Sequence, residues 1–352
     1  MKRILAILCV LALLLSMTAC HTAEEENTQE TRRFTDSCGR TVEIPTEISR
    51  VAPSGSTAQM ILMTVAPEKL VGLSSETEEA RQAYFPAELN GLPVFGQFYG
   101  SKANLNMEAL IAAAPQIIID LGDAKDGIAE DMDTIQQQTG IPTVFVEASL
   151  DKLSEAYRTL GMLLGKEAEA EQLAAFIDRT LRMAEEKSIL VTERKTVYYG
   201  TGQTGLTCNA AGSPQADVIE RIGAENGIVP EKKSNRYGGT EVDPEQLYTL
   251  QPDVILLSKG GPYETLRDGE WSELAAVKEG AYYEVPNLPY DWLSNPPSVN
   301  RVLGIWWLGN QLYPEIYDYD IVETAQEFYR LFWHYELSRE EAEEMLVHAT
   351  VK

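Results

Sequence analysis

Short apolar runs recur along the chain and alternate with segments of helical spacing. Candidate strands are Arg50–Ala52, Leu70–Leu73, Gln116–Asp120, Thr143–Glu147, Thr196–Tyr199, Val254–Ser258 and Tyr282–Val285. Runs such as Ile117-Ile118-Ile119 are continuously apolar, as parallel strands covered on both faces require. The alternation predicts an α/β fold. In the middle of the chain the period changes. Leu153 to Leu164 reads as one helix, stopped at Gly165. Glu167 to Lys187 reads as a second, with Leu173, Phe176, Ile177, Leu181 and Ala184 on one stripe. At 1.5 Å per residue that second helix is roughly 32 Å long. Ile321 to His348 is again helical, with Ser338 and Glu341 as a capping box.

The two halves around the long helix share a pattern. Met107-Glu108-Ala109-Leu110 followed by Ala114-Pro115-Gln116-Ile117 matches Pro244-Glu245-Gln246-Leu247 followed by Gln251-Pro252-Asp253-Val254. In each, a Glu opens a helix, a Leu follows, the helix stops before the Pro, and a strand begins. Ser213 and Pro214 have the residue types of an N-cap and first position and predict a helix starting there.

The N-terminus reads separately. Lys2 and Arg3 precede twelve apolar residues, Ile4 to Leu15. That run reaches about 18 Å, short of the roughly 30 Å hydrocarbon core, and reads as the apolar part of a secretory signal. Leu15-Ser16-Met17-Thr18-Ala19-Cys20 resembles the lipobox of bacterial lipoproteins. That resemblance implies cleavage after residue 19, acylation of Cys20 and a membrane anchor, with the polar residues to Arg33 as a tether. The expected divisions are a signal at 1–19, a tether at 20–33, an N-terminal lobe at 34–150, linking helices at 151–190 and a C-terminal lobe at 191–352. The location implied is extracytoplasmic.

Composition narrows the chemistry. The 352 residues carry a net charge of −25, with 54 acidic against 29 basic side chains, which excludes nucleic acid as a partner. Three His and no H-E-x-x-H or C-x-x-C leave no metal-ligating or Ser–His constellation. The chain reads as a binding protein, not an enzyme; an extracellular hydrolase is the alternative of another class. Cys38 and Cys208 read as free thiols. Gly200-Thr201-Gly202-Gln203-Thr204-Gly205 has dinucleotide-site spacing but lacks the helix that must open directly after it, so it reads as a strand-end loop facing a cleft.

Candidate ligand-binding residues lie in loops after the strands. Ser54, Ser56 and Thr57 enter an apolar helix, either as anion-binding hydroxyls or as a plain cap. Tyr99, Lys102, Arg236, Tyr237, Tyr290, Trp292 and Arg301 are the aromatic and basic candidates, suited to a bulky, partly anionic or chelating ligand.

The lipobox, the paired pattern and the stretch Phe34-Thr35-Asp36-Ser37-Cys38-Gly39-Arg40 together resemble the class III substrate-binding lipoproteins of ABC importers, which take up iron–siderophore chelates, haem and cobalamin. Trp292-Leu293-Ser294-Asn295-Pro296-Pro297-Ser298 is similar to a late cleft loop of that family. The resemblance implies two Rossmann-like lobes joined by a single long α-helix, with the ligand cleft between them. It also implies a monomer, a ferric chelate as ligand with no resident cofactor, and docking on a permease dimer through Glu108 and Glu245. Cobalamin, haem or an oxyanion such as molybdate remain alternative ligands.

Overall fold

The computed structural model describes residues 30–101, 103–230 and 239–350. The expected signal, the Cys20 expected to be acylated, Lys102, Arg236 and Tyr237 lie outside the described residues.

Strands β1 (Thr31–Thr35) and β2 (Thr41–Pro45) form an antiparallel hairpin, so the stretch expected to be tether is already paired from Thr31. Its turn explains the Asp-x-x-Gly-Arg pattern. Asp36 accepts the backbone N–H of Cys38 and Arg40, and Gly39 takes the positive φ the turn needs. Arg40 Nη1 bonds Asp36 at 2.9 Å and the Thr143 carbonyl at 3.0 Å, which fastens the hairpin to the first sheet.

That sheet contains β3 (Val51–Pro53), β4 (Ile117–Gly122) and β5 (Thr143–Glu147), all parallel, in the order β3-β4-β5. Its helices are α1 (Ser56–Val65), the short α2 (Glu79–Gln82), α3 (Met107–Ala113) and α4 (Ile128–Thr139). Leu70–Leu73 is not a strand. Its ends make only single bridges, Val51 to Leu70 and Leu73 to Val94. Then come α5 (Leu153–Leu164), closed by Gly165 in a left-handed conformation, and the 22-residue α6 (Glu167–Ser188).

The second sheet is built from β6 (Thr196–Thr201), β7 (Thr207–Cys208), β8 (Glu225–Asn226), β9 (Thr240–Glu241), β10 (Val254–Leu257) and β11 (Tyr282–Glu284). Its order is β11-β10-β6-β7-β9, with β8 also on β6. Around it lie α7 (Asp217–Arg221), α8 (Pro244–Leu250), α9 (Ala275–Glu279), α10 (Asn300–Leu312), α11 (Ile321–Phe328) and α12 (Arg339–Met345). The helix expected from Ser213 begins instead at Asp217. The Ser213 hydroxyl bonds back to the Ala210 carbonyl and caps a turn. The Ser338–Glu341 capping box is present.

The architecture is therefore α/β, with the β1–β2 hairpin, two larger sheets and one long connecting helix among the described residues. Strand alternation divides the interior. Ile117, Ile119 and Leu121 of β4, with Val254 and Leu256 of β10, face one continuous core that runs through both halves. Ile118 of β4 and Ile255 of β10 face two smaller cores, one behind each sheet.

The C-terminal segment adds a tie that the periodicity did not announce. A π-helical turn, Tyr329–Trp333, follows α11 and packs on α1 of the first half and on the connecting helix α6. Phe332 stacks on Phe328 at 4.4 Å and meets Phe176 of α6 at 5.6 Å and Tyr157 of α5 at 6.0 Å. Tyr84 lies 4.9 Å from the Tyr335 ring, and Phe85 lies 5.5 Å from Trp333. His334 Nε2 sits 3.1 Å from the Thr64 carbonyl. One backbone helix links the halves, and an aromatic clasp holds them.

Candidate functional site

Where the halves face each other lies a cleft of about 380 Å³. Arg81, from α2, is its one lining residue from the first half among the described residues. The rest come from the end of β6 and from the loops that follow β6, β7, β10 and β11. Lys259 is the second cation. Asn209, Gln215, Asn287 and Asn295 supply carboxamides, and Thr201, Ser258 and Ser294 supply hydroxyls. Among the described lining residues none has an apolar or aromatic side chain. Ligand pockets are usually apolar walls with a few polar groups; this one is built for a hydrophilic guest.

Arg81 is set in place from two sides. Its guanidinium lies 5.6 Å from the centre of the Tyr290 ring, and Nε is 3.2 Å from Glu78. Tyr290 packs on Phe85 and Trp333, so the clasp reaches the cleft through this ring. Lys259 is matched by Glu284 at 2.6 Å.

The cleft wall also includes a buried carboxylate, that of Asp291. Asp291 accepts the backbone N–H of Leu293 at 2.8 Å and of Ser294 at 2.7 Å, and the hydroxyls of Tyr199 at 3.2 Å and Ser294 at 3.3 Å. The first half repeats this chemistry. Asp120, at the C-terminal end of β4, accepts the Tyr99 hydroxyl at 2.7 Å and the Ser54 hydroxyl. Lys125 lies over the Tyr99 ring at 4.2 Å. Burial holds both carboxyls above the ordinary aspartate range, while the hydroxyls on them pull the other way.

The structure thus brings Ser54 and Tyr99 together through Asp120. Ser56 and Thr57 are half-buried in the first turn of α1, which has no side-chain cap; Gly55 stands at its N-cap. Trp292 is only 2% exposed and turns inward, its Nε1 donating to the Leu288 carbonyl. Arg301 is 1% exposed on α10, where it bonds the Ser298 and Pro214 carbonyls. The late loop thus presents Asp291, Ser294 and Asn295 to the cleft, with Trp292 and Arg301 beneath. Gly200–Gly205 is a hairpin between β6 and β7. A Cβ on Gly200 would stand 2.4 Å from the Gly205 carbonyl oxygen, so this glycine serves close backbone approach and not a phosphate. Cys38 and Cys208 are both free, and burial raises each thiol to about 11.

Arg81, Asp120 and Asp291 were not singled out from the sequence. Asp120 carried one usable signal, a carboxylate ending a parallel strand, where α/β sheets place their ligand crevices. A larger hollow, about 700 Å³, runs along α6, where Arg221 pairs with Asp151 at 2.5 Å and Asp178 with Arg158 at 2.9 Å.

A cleft between two sheet-bearing halves, crossed by one long helix, agrees with what the chain resembles. The sequence model of a family described as "Periplasmic binding protein" matches residues 51–288. The chain belongs to the periplasmic binding protein family. An ABC transporter solute binding protein from Sulfurospirillum deleyianum is similar at 27% identity and TM-score 0.81, over 89% of this chain and 98% of that one. A periplasmic solute binding protein from Veillonella parvula follows at 24% identity and TM-score 0.77, over 91% and 98%. Molybdate-bound MolA from Haemophilus influenzae shares the fold at 20% identity and TM-score 0.70, over 87% and 99%. No curated protein is a significant match. The class III resemblance drawn from the sequence is therefore shown. Periplasmic binding proteins carry solutes and are not enzymes, and membership implies a place outside the cytoplasm. No helix among the described residues of this periplasmic binding protein is long and apolar enough to cross a membrane.

Proposed function

We propose that this periplasmic binding protein is the solute receptor of an ABC importer and that it carries a compact, oxygen-rich anionic solute, a ferric chelate, in the cleft between its halves. The cleft itself supports this reading. A guanidinium from one half faces an ammonium, carboxamides, hydroxyls and the Asp291 carboxyl, whose burial favours its neutral form, from the other, and no described lining side chain is apolar. Carboxamide and hydroxyl donors, with one guanidinium, fit carboxylate or hydroxamate oxygens. Haem would ask for apolar walls, and 380 Å³ is more room than a tetrahedral oxyanion needs. Ser54, Tyr99 and Tyr290 act in this reading by positioning the cleft walls. In the same reading Cys20 is the lipid anchor, residues 34–150 and 191–352 are the two lobes, and the monomer docks on a permease dimer through Glu108 and Glu245. Both glutamates are exposed on α3 and α8.

Tryptophan fluorescence titration with a ferric hydroxamate, ferric citrate, haemin, cyanocobalamin and molybdate tests the reading. Saturable binding of a ferric chelate is expected. Arg81→Gln should weaken it about 10- to 100-fold, the range for losing a hydrogen bond to a charged group. Saturation by haemin or molybdate alone would replace the chelate.

A further inference from the structure

Helices α3 and α8 are alike in more than their glutamates. Both are seven residues long. Asn106 caps the first and Asp243 the second. Each buries one leucine, Leu110 or Leu247, at 0% and 1% exposure. Each ends on a non-glycine residue in the left-handed region, Ala114 at φ 42° and Gln251 at φ 45°, directly before a proline. Each then enters the middle of its sheet's parallel strands, β4 or β10.

At the same register, three residues after each glutamate, stand Ile111 and Tyr248. They are large apolar side chains left open to solvent, at 62% and 36% exposure. Residues i and i+3 share a helix face, so each glutamate has one exposed apolar neighbour beside it. A single surface hydrophobe needs no explanation. The same placement on two equivalent helices does, because burial drives every other large apolar position of these helices inward or half inward. Neither glutamate has an ion-pair partner among the described residues.

We infer that Ile111 and Tyr248 are apolar anchors of the docking surface, and that the partner offers one cation beside one apolar socket, twice over. Repeated chemistry on the receptor fits repeated chemistry on its partner, a two-fold pair of like permease subunits. This rests on the docking role of Glu108 and Glu245 proposed above. The two anchors differ in kind. The Tyr248 hydroxyl donates to the Glu270 carbonyl, which pins the ring, whereas Ile111 is purely aliphatic.

The test is the affinity of the whole chain for its own permease–ATPase complex in lipid nanodiscs, by biolayer interferometry at low and high salt. Ile111→Ser and Tyr248→Ser should each weaken docking about tenfold at both salt levels, with the melting temperature unchanged in Ile111→Ser and the affinity of Tyr248→Ser read well below its own melting temperature. Glu108→Gln and Glu245→Gln should weaken docking and flatten its salt dependence. Tyr248→Phe should bind as the unaltered protein does, because the ring supplies the contact. Wild-type affinity in both serine variants, with loss in the glutamine variants, would overturn the anchors and leave the glutamate docking standing. Wild-type affinity in all four would remove the docking reading itself.

Discussion

Replacing Phe332 by alanine probes the clasp directly. The ring is fully buried and meets three aromatic neighbours, Phe328, Phe176 and Tyr157, which belong to the C-terminal segment, the connecting helix and the first half. Truncating a buried Phe costs about 3–5 kcal/mol, the higher values arising where the site cannot collapse. Three flat rings anchored on three different helices cannot all move inward, so about 4–5 kcal/mol is expected. A chain of this length loses about 2 °C of melting temperature per kcal/mol, so the midpoint should fall roughly 8–10 °C. Circular dichroism melts and urea titrations measure both quantities. Lys152→Ala serves as control. It breaks an exposed ion pair with Glu155, and should cost less than about 1 kcal/mol. If Phe332→Ala cost no more than that control, the clasp would not belong to the shared core. Two separate transitions in the unaltered protein would refute the shared core altogether.

Two further outcomes follow from local geometry. A Cβ on Gly72 would stand 2.1 Å from the fully buried Phe95 ring, so Gly72→Ala should destabilise by about 1–3 kcal/mol in urea titration, and a neutral result would mean that the ring can retreat. Asp120 keeps its proton to higher pH in the folded chain than in the unfolded one, so the unfolded state loses protons first and stability falls as pH rises above about 4 toward the folded value. Asp120→Asn should flatten that limb of the stability–pH curve, and an unchanged slope would assign the effect to another group.

Apolar runs placed the central strands well because a strand covered on both faces has no polar alternation to misread. Thr143–Glu147 and Leu153–Leu164 are observed with the expected bounds. Leu70–Leu73 has the same residue types but lacks a neighbour along its length, and pairing is not written in local composition. Proline after serine at Ser213 offered a helix start, yet the serine hydroxyl found a nearer carbonyl. The site was harder to read. Arg81 lies in a polar stretch with no period, and its role comes from what packs beneath it, Tyr290 and Trp333, more than 200 residues away. Tyr290 and Trp292 are sequence neighbours of Asp291, but only the path of the folded loop tells which of the three lines the cleft. The clasp was invisible for a related reason. A helical period predicts that the C-terminus has an apolar face and says nothing about which half receives it.

An interior that passes unbroken from one half to the other has a cost for letting go. To swing apart, the two sheets would have to shear rings that rest on each other, so thermal motion alone opens the jaws little. In the reading proposed above, the work of discharge then falls to the ATP-driven machine that grips the receptor from outside.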